Sequence, residues 1–254
     1  MKTSELIQFV AKDLLDDRTD MLSGESDELF SDATIIRHLA EAERILCRRA
    51  WVLEDNGSVC GTKASRIQLV ENRTDYQLDK SILFVKSVRL SDSDIDLVRV
   101  GYEDNRPRGH FTGAAALDYW DVNSSYVENP GRPGRFSTDM GTRVIRVRQK
   151  PDATAAALKL NLVVVRMPIN PISTTTPDAS PEVPEDFHMM LGYYAAGKCL
   201  TMPTVDAELR SLGKSYVADF NAAVLEAKRD RQRLQQSEPR HRFGGWAGDD
   251  NGGF

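Results

Sequence analysis

The spacing of apolar positions changes character three times along this chain, and each change marks a different kind of element. Thr3 or Ser4 can cap a first helix running to about Asp16, with Leu6, Ile7, Val10 and Leu14 recurring on one face. Asp17 to Phe30 is acidic and polar, without a period, and reads as a loop. Ser31-Asp32 then opens a second helix with the stripe Ile35, Leu39, Ala42, Leu46 and Ala50, reaching Trp51. Asp55-Asn56-Gly57 is the expected stop. From about Arg66 the period becomes two. Ile67/Leu69, Tyr76/Leu78 and Ile82 to Leu90 are β-like, and Ile95 to Val100 follows a Ser-Asp-rich turn. Residues 101–140 mix glycine, proline, asparagine and aromatics without a period. Arg143 to Arg148 predicts a strand with Ile145 and Val147 inward and Arg146 and Arg148 outward. Leu158, Leu160, Leu162 and Val164 alternate along the next one, so an antiparallel hairpin is expected across Pro151-Asp152.

Helical spacing returns after a proline- and threonine-rich connector, Met167 to Pro184. Pro184-Glu185-Asp186 starts a third helix with the stripe Phe187, Met190, Leu191, Tyr194 and Ala195, broken at Thr201-Met202-Pro203. Thr204 or Asp206 opens a long final helix carrying Leu209, Leu212, Tyr216, Phe220, Ala223, Val224 and Ala227 on one side. Beyond Ala227 the stripe fades into Lys228, Arg229, Arg231 and Arg233. The first and last helix pairs each have one apolar face, which is buried most simply against the other pair. The predicted fold class is therefore α+β. Residues 1–58 and 184–236 form a discontinuous antiparallel helical bundle, 59–183 an inserted antiparallel β module with long loops, and 237–254 an extended tail.

Composition narrows the function more than it defines it. The 254 residues carry a net charge of −5, against a protein that grips nucleic acid over most of its surface, though not against one that lets it pass. No apolar run approaches the roughly 20 residues of a membrane span, and the first residues lack the apolar core and cleavage site of a secretory signal. Cys47, Cys60 and Cys199 are odd in number and scattered, which argues against a disulfide framework and for assembly in the cytoplasm.

Catalytic patterns are weak throughout. His38 and His188 sit in helices where they can meet across a bundle, but no cysteine or carboxylate lies at ligand spacing. His110 and His241 have no nucleophile or orienting acid nearby. The alternating Asp92, Asp94 and Asp96 lack the glycine and terminal glutamate of a calcium loop. Gly131-Arg132-Pro133-Gly134 and Gly213-Lys214-Ser215 lack the strand-turn-helix context of a phosphate loop. The expectation is a protein that is not an enzyme and uses no cofactor or metal.

Two clusters remain. Arg143, Arg146, Arg148 and Lys150 read as the solvated face of a strand, with a face toward a partner or DNA as the other reading. Lys228, Arg229, Arg231, Arg233, Arg240 and Arg242 gather at the end of the last helix and continue into a tail of five glycines with Phe243, Trp246 and Phe254. Cations favour a helix C-terminus, but arginine combined with spaced aromatics on a flexible tether is also the composition of an interface anchor. Tyr119, Trp120 and Tyr126 form a lesser group in the irregular stretch.

The order of short motifs resembles the head-to-tail adaptor (connector) proteins of tailed bacteriophages. The resemblance is carried by Thr3-Ser4-Glu5-Leu6-Ile7, Phe30 to Ile36, Leu39-Ala40-Glu41-Ala42-Glu43-Arg44 and Cys47-Arg48-Arg49-Ala50. It continues through Tyr76-Gln77-Leu78-Asp79, Val85 and Val88-Arg89-Leu90, Gly131 to Phe136 and Lys150-Pro151-Asp152. Val183 to His188, Leu191 to Ala196, Tyr216 and Phe220 complete it, so that it spans most of residues 3–225. The resemblance implies a ring, usually dodecameric, in the virion neck, with viral DNA passing through without specific binding and assembly in the host cytoplasm. It implies portal protein on one side and tail or nozzle proteins on the other. Arg229, Arg233, Arg240, Arg242, Phe243, Trp246 and Phe254 become the expected portal-binding residues, and Tyr119, Trp120 and Tyr126 a tail-side or neighbour contact. The alternatives are a tail-completion or fibre-attachment protein and, further off, a glycan-binding accessory virion protein.

Overall fold

The computed structural model describes residues 1–15, 30–57, 63–100, 130–173, 179–203 and 205–237. Its helices are α1 (Thr3–Gln8, continued by a π-helical turn, Phe9–Leu14), α2 (Asp32–Ala50), α3 (His188–Leu200, entered through a 3-10 turn at Glu185–Phe187) and α4 (Ala207–Ser237). Its strands are β1 (Glu54–Asn56), β2 (Arg66–Gln68), β3 (Asp75–Gln77), β4 (Ile82–Leu90), β5 (Val98–Arg99), β6 (Arg135–Asp139), β7 (Val144–Arg148) and β8 (Lys159–Arg166). The class is α+β, as the periodicity predicts.

Two hydrophobic cores follow the two periods. The helical core gathers Leu6 and Val10, Ile35, Leu39, Ala42 and Leu46, Leu191, Tyr194 and Ala195, and Phe220, Val224 and Ala227. All five positions of the α2 stripe named from the sequence are buried. Helix α3 lies against α1, α2 and α4. The α3–α4 crossing is close because glycines face each other there. A Cβ on Gly197 would stand 2.7 Å from the Gly213 carbonyl oxygen, and one on Gly213 would stand 2.9 Å from that of Gly197. Tyr194 and Phe220 rings meet at 4.8 Å on the same seam.

The second core lies between two sheets, with Val85, Val88, Leu160, Leu162 and Val164 from one and Tyr76, Phe136, Ile145 and Val147 from the other. In the first sheet β8 is central. It pairs antiparallel with β4 along one edge, Val88 opposite Leu162, and with β2 and β1 in succession along the other. The second sheet runs β3-β7-β6-β5, antiparallel except for the parallel β5–β6 pair.

Several local expectations are corrected. The strands 144–148 and 159–166 are not a hairpin: they belong to different sheets. Both edges of β8 are already occupied, and Pro151 with the 3-10 turn Ala155–Ala157 carries the chain from one sheet to the other. Helix α2 ends at Ala50 on a left-handed Trp51 (φ 56°), and Asp55-Asn56 belongs to β1, not to a helix stop. Lys2, not Thr3 or Ser4, is the first N-cap, while the Thr3 hydroxyl donates to the Ala179 carbonyl at 2.8 Å. On α4, Leu209 and Leu212 are 43% and 41% exposed; the buried positions are Gly213, Phe220, Val224 and Ala227. The glycine contact ties α3 to α4 beyond Leu212, so the first turns of α4 lie past the cover of α3.

Candidate functional site

The connector between β8 and α3 is tied down by buried carboxylates. Glu43 of α2 is fully buried and accepts the backbone N–H groups of Ile172 at 3.1 Å and Glu182 at 3.2 Å. Burial pushes its carboxyl above the ordinary glutamate value, against the opposing pull of those two N–H groups. Glu182 in turn accepts from the N–H groups of Ile169 and Asn170 and pairs with Arg166, which also reaches Asp55 at 3.3 Å. Burial alone would raise Glu182, but the Arg166 guanidinium and the two N–H groups outweigh it and hold it below its ordinary value. The chemistry here is structural: each carboxylate is consumed in fixing backbone.

The end of α2 and the side of α4 form an open groove of about 350 Å³, lined by Arg48, Arg49, Trp51, Asn221, Leu225 and Lys228 over a floor of Val224. The left-handed cap at Trp51 turns the chain while its N–H still closes on the Cys47 carbonyl at 3.1 Å. The indole is left 40% exposed, and Leu225 is 56% exposed. Arg49 donates to the Asn221 side chain at 3.2 Å, which joins the two walls. Among the described residues Arg48, Arg49 and Lys228 make no ion pair, and Arg48 and Arg49 lie at the C-terminus of α2, whose dipole already attracts cations. Below the groove, Arg231 donates to Glu54 at 2.9 Å and Lys86 to the same carboxylate at 2.7 Å, so one β1 carboxylate ties down both α4 and β4.

The basic cluster foreseen at the end of the last helix is split by the structure. Arg231 points back to the fold. Arg229 and Arg233, one helical turn apart, are on the solvent side, where Arg233 makes a 3.4 Å ion pair with Asp230. Arg240, Arg242, Phe243, Trp246 and Phe254 lie outside the described residues, as do Tyr119, Trp120 and Tyr126. Of the strand cations, Arg146 forks onto Asp75 with a 2.9 Å contact and draws its carboxyl below the ordinary aspartate value. Its face is a salt-bridged one.

Among the described residues, His38 and His188 do not assemble a site, and His110 and His241 lie outside them. His38 is buried beside Glu41, with Nδ1 at 3.5 Å from the carboxylate but without a hydrogen bond, and burial lowers its pKa. His188 Nε2 lies 2.9 Å from the Val183 carbonyl. Among the described residues no three His, Cys, Asp or Glu side chains are grouped to hold a metal ion, and no helix is long and apolar enough to cross a membrane. The burial of Cys47 pushes its thiol up to about 12, which leaves it inert as a nucleophile.

Sequence reasoning missed the groove. Its signal was present in two places: Arg48-Arg49 before an aromatic at a helix end, and a Leu225 that falls off the apolar stripe of α4. What joins them is tertiary.

A family model described as SU10 adaptor protein matches residues 1–242. No curated protein matches the sequence at a significant level.

Proposed function

The chain belongs to the SU10 adaptor protein family, phage head-to-tail adaptors, and from that premise we propose that its copies form a ring between portal and tail, held to the portal by the end of α4 and the segment after it. Membership of the family makes the chain a structural virion protein of the neck that meets other head and tail proteins. The ring, its portal contact and its role as a conduit for DNA are the further reading.

The observation that supports the portal contact is the division of labour on α4. Its inner stripe, Phe220, Val224 and Ala227, is spent on the helical core, and Arg231 is spent on β1. Arg229 and Arg233 remain outward, on the turns that lead directly into 237–254. In this reading residues 1–58 and 184–236 are one discontinuous helical unit that carries the anchor, and 59–183 is an inserted β unit turned toward the neighbours or the tail. Arg240, Arg242, Phe243, Trp246 and Phe254 extend the portal contact, and Tyr119, Trp120 and Tyr126 belong to the opposite or lateral surface. Copies around a ring, twelve in the proposed arrangement, multiply a weak contact through effective concentration. A net charge of −5 is consistent with a lumen through which DNA passes without being held. Assembly takes place in the host cytoplasm.

The test is binding of the full chain to purified portal particles, followed by co-sedimentation and electron microscopy. Deleting 237–254 is expected to abolish binding while leaving helical content and unfolding midpoint unchanged. Arg229→Ala with Arg233→Ala is expected to weaken it. Undiminished binding by the deletion sinks the anchor model.

A further inference from the structure

We propose that the groove between α2 and α4 is a subunit contact, and that its occupant is the acidic segment 16–29 of a second copy of this chain; the inference rests on the ring reading and gives that ring a lateral joint. The groove presents Arg48, Arg49 and Lys228 around the exposed faces of Trp51 and Leu225. Its complement is a short chain with several carboxylates and a few aliphatic side chains. Residues 16–29, Asp-Asp-Arg-Thr-Asp-Met-Leu-Ser-Gly-Glu-Ser-Asp-Glu-Leu, have that chemistry: Asp16, Asp17, Asp20, Glu25, Asp27 and Glu28 against one arginine, with Met21, Leu22 and Leu29 between.

Geometry decides this for the acidic residues next to α2. Phe30, buried in the helical core, and the Ser31 cap fix the end of the segment at the start of α2. The groove lies at the other end of that 19-residue helix, about 28 Å away at 1.5 Å per residue. Asp27 and Glu28 are two or three residues from Phe30, a reach of about 11 Å even fully extended. They fall short of their own Arg49 and Trp51 with side chains outstretched, but the same groove on an adjacent copy is under no such limit. Acid at one end of α2 and base at the other make two different, mutually complementary faces. Such a heterologous contact repeats from subunit to subunit and closes when the rotation allows. It also sets the α2 dipoles of successive copies head to tail, with anions at the N-terminal end and cations at the C-terminal end. Arg229 and Arg233 point elsewhere on α4, so the lateral joint and the portal contact do not compete.

The experiment titrates a fluorescently labelled 16–29 peptide against the full chain and reads anisotropy. Saturable binding is expected. It should weaken at least about tenfold in Arg48→Glu with Lys228→Glu, two charge reversals at one contact, and fall with added salt. A peptide with Asp27→Lys and Glu28→Lys should recover affinity for that double variant. Helical content and unfolding midpoint of the variant identify a folding failure, in which case the reversed peptide is tested on wild type and must lose affinity. In parallel, Glu28→Cys chains mixed with Lys228→Cys chains should form a mixed disulfide dimer under mild oxidant. No peptide binding, or binding indifferent to both reversals, overturns the proposal. Capture of a 238–254 peptide instead also overturns it and assigns the groove to the tail. Electron microscopy on portal separates the two readings. Rings that persist in Arg48→Glu with Lys228→Glu keep the ring and discard the joint, whereas peptide and disulfide contacts without rings keep the joint and discard the ring.

Discussion

Gly197→Ala is the sharpest test of how the helical core is held. On an isolated helix the change is favourable by about 1 kcal/mol, because alanine loses less backbone entropy on ordering. Here the added methyl would stand 2.7 Å from the Gly213 carbonyl oxygen, 2.8 Å from Val217 Cγ2 and 3.1 Å from the Val217 nitrogen. Two of the three obstacles are backbone, so no rotamer change relieves them, and α3 and α4 must separate. Overpacking of this kind costs about 1–3 kcal/mol. The wider crossing also loosens the Tyr194–Phe220 contact on the same seam. The net expectation is a loss of about 1–2 kcal/mol, or a melting temperature lower by about 2–8 °C for a chain of this size. Gly213→Ala, whose methyl would meet Leu200 Cβ at 2.8 Å, should behave alike. Since one separation relieves both clashes, the double variant should lose less than the sum of the two. Gly134→Ala is the control: nothing lies within 4 Å of its added methyl, and about 0.4–1 kcal/mol of stabilisation is expected from a stiffer unfolded chain. Equilibrium urea unfolding followed by circular dichroism measures all four. A Gly197→Ala protein as stable as wild type would refute the close crossing.

Glu43→Ala orphans the N–H groups of Ile172 and Glu182 and is expected to cost about 3–5 kcal/mol, with the connector becoming a preferred site in limited proteolysis. The pH dependence of Glu43 has a definite sign: its folded carboxyl is raised, so the unfolded chain releases the proton first. Wild type should therefore lose stability relative to Glu43→Gln as pH rises through the interval above the ordinary value of 4.5, measured by unfolding at a series of pH values. Asp75 has the opposite sign. Its folded carboxyl is lowered by the Arg146 fork, so its contribution, about 1 kcal/mol or less for a partly exposed pair, is present above pH 3.8 and lost as pH falls through its lower folded value. The stability difference between wild type and Asp75→Asn should shrink accordingly. Arg231→Ala is expected to cost about 1 kcal/mol or less and to speed hydrogen exchange in β1, because one guanidinium ties α4 to Trp51 and Glu54.

Much of this protein is local and therefore legible along the chain. The stripe Ile35, Leu39, Ala42, Leu46 and Ala50 repeats with the helical period, and every member is buried. Alternation in 144–148 and 159–166 marks strands for the same reason, since a strand's side chains take opposite faces in turn. The ordered motifs of an adaptor were also visible there, and the family match covers residues 1–242. Partnership between elements was not. Periodicity says that a strand is half-buried but not beside which strand, so β7 and β8 were paired by proximity when each had better partners elsewhere. Nor does an apolar stripe state how far its cover extends, which is why Leu209 and Leu212 stand exposed while Gly213 lies buried. The groove is the clearest case. Arg48, Arg49 and Trp51 are more than 160 residues from Asn221, Leu225 and Lys228, and only the crossing of α2 and α4 makes one surface of them. Sequence determines what each segment can bury. Tertiary structure decides what is left over when that burial is complete, because only the crossing of elements brings distant side chains onto one surface.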